Sequence, residues 1–295
     1  MPARESEALV LRTYPYREAD LIVSFFTRDQ GKLRGVARGV RRPKSRFGSG
    51  LERLSHVRLF YFLRENQELA RLDRCELCAP PVFLRADYAT LVALDFLAEI
   101  SEQVLPEHEP NDAFFRLLLL VTNDIRAGIA LQTSAGASTA PRTEPGSVAK
   151  AANGREAASV AAVEEGRAAA ASSETPVWLW RAVTYFALWS VRLGGWLPPL
   201  DVCIRSGVEF EPDETAYFSR LHPGLYSAEY RDRDSWPLAP ESRQIAAEML
   251  KKPLPGLAER VWSRQTADDL RRFLVQRLES QIEHRLKTAA VLAEL

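Results

Sequence analysis

Side chains that hold metals or make and break bonds are scarce in this sequence. Its 295 residues include three cysteines and four histidines. Three cysteines exclude a disulfide scaffold and fit a reducing compartment, so a cytoplasmic protein is expected. None of the histidines, at 56, 108, 222 and 284, stands in an H-E-x-x-H or comparable pattern. Long apolar runs are missing too. None approaches the roughly 18 residues of a membrane helix, and the opening MPARESEAL lacks the hydrophobic region of a signal peptide. No nucleophile–base constellation stands out, which disfavours an enzyme, although triads do assemble from distant positions.

What is present is an ordinary globular composition, 46% hydrophobic and 26% charged, with length for about two domains. The net charge is zero but unevenly spread. Residues 1–80 hold 16 Lys and Arg against 10 Asp and Glu, and residues 28–46 hold eight basic side chains against one acid, Asp29. A basic stripe on a neutral protein points to a polyanion at one face.

Residues 6–78 read as strands. EALVLRTY, LIVSFFT, GKLRGVARGV, HVRLFYFLR and ELARLDRCEL are rich in β-formers and separated by turn-like breaks. Val57, Leu59, Tyr61 and Leu63 alternate with Arg58, Phe60, Phe62 and Arg64, as the two faces of a strand require. Five short strands in this span predict a small closed barrel, with the OB-fold the leading candidate. The expected class is α+β, with a barrel over 1–80 and a helical domain over 81–295.

In the second half the period lengthens. DYATLVALDFLAEISEQVL and NDAFFRLLLLVTNDIRAG have helical length and pattern. Residues 128–175 hold no aromatic and consist largely of Ala, Ser, Thr, Gly, Glu and Pro. A stretch so poor in large apolar groups is expected to be a disordered insertion. PVWLWRAVTYFALWSVRLGG follows as a strong helix, its Trp178, Trp180 and Trp189 expected in core packing. Beyond the loop-rich 195–239, a short helix is expected near 241–250. A final helix starts near Thr266, with Thr266-x-x-Asp269 as a capping box. Leu270, Leu274, Leu278, Ile282 and Leu286 would form its apolar stripe.

Lys32, Arg34 and Arg38 have the same parity, so one strand would carry them on one face. The following loop adds Arg41, Arg42, Lys44 and Arg46, with Phe47 available to stack on a base. Cations neutralise phosphates and an aromatic ring offers a sequence-tolerant platform. A solvated strand face that keeps the protein soluble accounts for the same composition equally well. Lys44-Ser45 lacks the preceding glycine of a phosphate loop. Cys75 and Cys78 form C-x2-C without a second pair and within a strand pattern, which fits two small half-buried residues better than a metal or redox site.

LDVCIRSG and HPGLYSAEY place Cys203, Ser206, Ser227 and Tyr230 at the spacing of a zinc ribbon. One of the four is a cysteine, and His222 would add at most a second donor. No structural zinc is expected, because hydroxyl and phenol groups keep their protons near neutral pH. The segment 196–232 must then hold by packing of Trp196, Leu200, Phe210, Phe218, Leu225 and Tyr226, with Tyr230 filling the vacated space.

The stretch LVLRTYPYREADLIVSFFTRDQGKLRGVARGVRRPKSRFGSGLERL resembles the opening of RecO, the bacterial recombination mediator. The downstream layout is similar as well, a helical domain interrupted by a ribbon-like insert after GGWLPPL. The resemblance spans the chain apart from 128–175. It implies an N-terminal OB-fold that binds single- and double-stranded DNA, anneals complementary strands and helps load RecA in the RecF pathway. It also implies RecR and the acidic tail of single-stranded DNA-binding protein as partners, a nucleoid location in the cytoplasm, and no bond made or broken. By the same resemblance the basic residues of 32–46 match the DNA-contacting surface. LDVCIRSG and PGLYSAEY match a four-cysteine insert that has kept Cys203 alone, a degenerate zinc-ribbon-like segment. A generic OB-fold RNA-binding module and a protein adaptor stand as alternatives, with a hydrolase of dispersed site more remote.

Overall fold

A computed structural model of the protein describes residues 3–42, 45–64, 67–82, 86–137 and 175–295. Alternation of apolar and polar side chains in the first part produces five strands: β1 (Arg4–Tyr16), β2 (Asp20–Thr27), β3 (Gly31–Ala37), β4 (His56–Phe62) and β5 (Leu69–Leu77). They close into a barrel in the order β1-β2-β3-β5-β4, in agreement with the OB-fold expected. Every pairing is antiparallel except β3 with β5, which sets Arg34 beside Leu69 and Val36 beside Arg71. The inward set, including Val10, Val23, Phe25, Leu33, Leu59, Tyr61 and Leu72, fills the barrel. Phe25 meets Tyr61 edge-on at 5.9 Å, and the buried Tyr61 hydroxyl shares a 3.2 Å hydrogen bond with Ser6.

The outer surface of β1 and β2 is apolar as well, and this orients the helical domain. Leu9, Leu11 and Phe26 belong to the larger helical core. Phe26 packs on Phe114 and Phe115 with ring centres 6.3 and 5.7 Å away. Both contacts come from α2 (Asp112–Ala137), which follows α1 (Tyr88–Val104). Asp87 caps α1 by accepting from the Thr90 amide at 2.8 Å, and Asn111 accepts from the Phe114 amide at 3.0 Å. The central helix is α3 (Val177–Leu193), along which Leu179, Val183, Phe186, Leu188 and Val191 are fully buried. Trp180 is buried, and Trp178 and Trp189 pack against the same core.

Four expectations are corrected. The disordered insertion was expected from residue 128, yet α2 continues to Ala137. Ile129 is buried, and a Cβ on Gly128 would collide with the Trp178 ring of α3. Close helix contact at a small residue therefore extends order where composition suggested none. Residues 138–174 lie outside the described residues. Within the loop-rich region, β6 (Ala216–Phe218) and β7 (Trp236–Leu238) pair antiparallel, ahead of α4 (Pro240–Lys251).

The capping box is not formed. Helix α5 (Asp268–Ile282) begins after Ala267 in a left-handed conformation with no side-chain cap. Thr266 Oγ1 instead accepts from the Ser263 amide at 3.0 Å, and Asp269 reaches across to the Ala239 amide at 2.6 Å. The leucine stripe is broken as well. Glu283 turns left-handed at φ 58°, and Leu286 precedes a separate helix, α6 (Lys287–Glu294). Leu270, Leu274, Leu278 and Leu286 are nevertheless all buried.

Candidate nucleic-acid interface

The basic stripe divides at Lys32. This side chain faces the helical domain, 6% exposed, and its Nζ donates to the Glu102 carbonyl of α1 at 2.6 Å. Burial pushes its pKa down. Beside it Ser24 donates to Glu102 Oε2 at 2.6 Å. Arg34 lies at the border, half-exposed, with Nη2 3.2 Å from Glu107 Oε1 and 4.0 Å from Glu102 Oε1. Lys32 and Arg34 share the outer face of β3, but the strand ends at Ala37, so Arg38 falls in the turn beyond it, and the Lys32 end of that face is an intramolecular interface. Lys32 is not a surface cation.

Arg38, Arg41 and Arg42 are exposed, and among the described residues no carboxylate lies within ion-pair distance of them. They sit on a turn that local chemistry fixes. Gly39 takes φ +68°, its amide donates to Asp20 Oδ1 at 2.8 Å, and the Arg41 amide donates to the Ala19 carbonyl at 3.2 Å. Guanidinium groups without a carboxylate partner are chemically suited to phosphate oxygens. Lys44 lies outside the described residues. Arg46 is exposed but bonded to Asp73 at 3.0 Å. Phe47 is a second correction: it is 3% exposed and closes the barrel core, so no base can stack on it.

Residues outside the stripe complete the surface. On the outer side of β4, Phe60 and Phe62 lie under the guanidinium groups of Arg74 and Arg71, with ring centres 3.8 and 4.7 Å away. Alternation in HVRLFYFLR identified that outer face. The parallel β3–β5 pairing that brings it beside Arg34 and Val36 joins strands more than thirty residues apart, and no local pattern announces it.

Comparison with known proteins agrees with this architecture. The description "Recombination protein O N terminal" matches residues 1–81, and "Recombination protein O C terminal" matches residues 172–290. The chain is 40% identical over 292 residues to DNA repair protein RecO of Koribacter versatilis, covering 99% of each chain. The chain belongs to the RecO family. DNA repair protein RecO of Bifidobacterium animalis is 43% identical over 121 residues, 40% of this chain and 50% of its own. That of Cutibacterium acnes is 38% identical over 121 residues, 40% of this chain and 48% of its own.

The segment expected to be ribbon-like keeps a folded backbone around Cys203. The Cys203 amide donates to Val208 at 2.9 Å, Gly207 donates back to Cys203 at 2.8 Å, and Ile204 donates to Leu225 at 2.8 Å. The buried sulfur accepts from the Ser227 amide at 3.4 Å, and the Ser227 hydroxyl lies 3.9 Å away. Burial raises the Cys203 pKa, but hydrogen bonds from the Ser206 side chain and the Ser206, Ser227 and Arg205 amides outweigh it and bring the thiol down to about 7.

These residues do not fit a zinc ion. Beside one sulfur stand Ser206 and Ser227, while Tyr230 is 37% exposed. Among the described residues no group of three or more His, Cys, Asp or Glu is placed to hold a metal. His222 packs edge-on against Tyr226 at 5.6 Å. Phe218 and Leu225 are in the core and Trp196, Leu200 and Phe210 pack against it, as expected. Tyr230 is only partly covered, at 37% exposed. Cys75, with its pKa pushed up to about 11 by burial, and the exposed Cys78 belong to β5 and its end. Among the described residues no helix is long and apolar enough to cross a membrane.

Proposed function

We propose that this protein is a DNA repair and recombination mediator that binds single- and double-stranded DNA and anneals complementary strands. On this reading it helps load RecA in the RecF pathway, at the nucleoid in the cytoplasm, and makes or breaks no bond itself. The observation that carries the DNA reading is the cluster of Arg38, Arg41 and Arg42, exposed and without a described carboxylate partner on a rigid turn. Family membership supplies the direction. Binding should follow counterion release, with log K falling linearly as log salt rises.

The test is a gel-shift series with single-stranded DNA across salt concentrations, on wild type and on an Arg41→Glu, Arg42→Glu, Lys44→Glu variant. Weaker binding and a flatter salt dependence in a folded variant support the reading. Unchanged affinity and slope remove this loop from the binding surface.

RecR and the acidic tail of single-stranded DNA-binding protein are proposed as partners. A cleft of about 1400 Å³ among α3, α5 and α6 supports the second. Trp236, Val275 and Ala289 give it apolar surface, and its lining carries six cations, Arg220, Arg264, Arg271, Arg272, Arg285 and Lys287, against four carboxylates, Glu241, Asp268, Asp269 and Glu279. A tail-deleted partner that binds as well as the full-length protein would remove this assignment. The ribbon is proposed to work without metal. Elemental analysis of protein purified without chelators tests it: near-stoichiometric zinc that disappears on Cys203→Ala would refute it.

A further inference from the structure

Two aromatic rings stand on the outside of the barrel with no core to explain them. Phe60 and Phe62 belong to neither apolar core, and they are half-buried with Arg74 and Arg71 stacked over them. A guanidinium carbon 3.8 Å from a ring centre is in contact with the ring face. A planar guanidinium so placed offers a flat delocalised cation with N–H donors spread around its edge. Arg74 also meets Glu76 at 3.3 Å, which holds it in place. Arg71 has no carboxylate within ion-pair distance among the described residues and is exposed. Each Phe–Arg pair is thus a platform on the outer face of the barrel; Arg74 is balanced by Glu76 at 3.3 Å and Asp73 at 4.0 Å, whereas Arg71 has no such partner among the described residues.

Spacing limits what can lie on two such platforms. Phe60 and Phe62 are two residues apart on one strand, about 6.8 Å. That is roughly twice the 3.4 Å rise per nucleotide within one strand of a duplex. Neighbouring bases on the two platforms must be pulled apart from each other, which an extended single strand permits and a duplex does not. Next to the Phe62–Arg71 pair opens a cleft of about 860 Å³, lined by Arg38, Arg64 and Gln67, with Glu68 as its one acid. Arg38 and Arg64 are exposed, with no carboxylate among the described residues within ion-pair distance, and stand where a phosphate backbone would leave the platforms. The β1–β2 side offers no such route, because Phe26 and Lys32 are buried under α1 and α2.

We propose that single-stranded DNA crosses the outer face of β4 and β5 with unstacked bases on the Arg71 and Arg74 guanidinium groups and its backbone held by Arg38 and Arg64. This rests on the DNA-binding reading above and adds to it a base-stacking track that selects single strands. The test uses the full chain, an oligothymidine and a duplex of equal length, with fluorescence anisotropy at fixed salt. The Arg71→Lys, Arg74→Lys variant keeps both charges and removes both planar groups. It should bind the oligothymidine about a hundredfold more weakly, roughly tenfold for each of the two base stacks lost, with duplex affinity and salt slope unchanged. Wild-type affinity for the oligothymidine, or an equal fall for both DNAs, overturns the track and leaves the DNA reading standing. An Arg41→Ala, Arg42→Ala variant without effect would instead refute the phosphate loop and leave the track in place. Wild type that binds neither DNA refutes both.

Discussion

Two parts of one barrel surface have opposite fates. On β1 and β2 the outward side chains, Leu9, Leu11 and Phe26, are fully buried against helices. On β3 and β5 the outward side chains Arg34, Arg71 and Arg74 remain in solvent, as does Arg38 in the turn after β3. Strand patterning is the same on both sides, so period alone does not separate them. Chemistry does: an apolar outer face must find a second layer, whereas a cationic one is better solvated or held against an anion. Lys32 marks the seam, a cation from the second set enclosed by the first.

The contrast predicts where a substitution is felt. The largest effect is expected at Phe26→Ala, which removes the ring packed on Phe114 and Phe115. It should lower unfolding free energy by about 3–5 kcal/mol in denaturant titration, with DNA affinity of the folded fraction unchanged. A loss of DNA affinity at wild-type stability would mean that the covered face is also a binding face.

Next comes Gly31→Ala at the β2–β3 turn. Gly31 has φ +74°, and a Cβ there would collide with the Glu109 backbone, which passes beside the 3.0 Å bond from the His108 amide to the Lys32 carbonyl. About 1–3 kcal/mol of destabilisation is expected, measured by the same titration. Wild-type stability would show that the barrel and the 107–109 loop are free to separate.

The sharpest contrast is Arg38→Met against Lys32→Met. Loss of one phosphate contact should flatten the salt slope for single strands by about 0.7 in the Arg38 variant, with stability within about 0.5 kcal/mol of wild type. The Lys32 variant should leave the slope unchanged. Equal slopes for the two variants would erase the distinction between the faces.

The smallest effect is a pH dependence. Burial lowers the Lys32 pKa in the folded protein, whereas the unfolded chain keeps the ordinary 10.5. Between the two values the unfolded state binds more protons, so stability rises with pH across that window. The stability of wild type relative to Lys32→Met should therefore increase as pH climbs towards 10.5 and stay flat at lower pH. An opposite slope would mean that Glu102 and Glu107 outweigh the burial.

Much of this was legible in the residues. Alternation in HVRLFYFLR separated inside from outside on β4, and the apolar period of residues 177–193 fixed the central helix, because both are local consequences of backbone geometry. The missing cysteines of the ribbon were equally plain, since ligand chemistry depends on residue type and spacing. Other features were not local. Phe47 is a core residue because the β3–β4 connection folds back over the barrel, and the last ten residues of α2 are helical where Gly128 and Ile129 meet α3 and the core. Composition near residue 130 could not register a tryptophan fifty positions later.

The sequence by itself determined the strands, most of the helical segments, the excess of positive charge in the first 80 residues and the single cysteine among the four positions at ribbon-like spacing. Tertiary structure alone decided which cations stay in water. Lys32 and Arg38 are both long cations of the same parity in one sequence stretch, the first on β3 and the second in the turn that follows it. They differ because β2 and the start of β3 face helices that burial of Phe26 draws in, while the end of β3 pairs in parallel with β5 and looks outward. Burial is a property of what arrives from elsewhere in the chain, and no local periodicity encodes it.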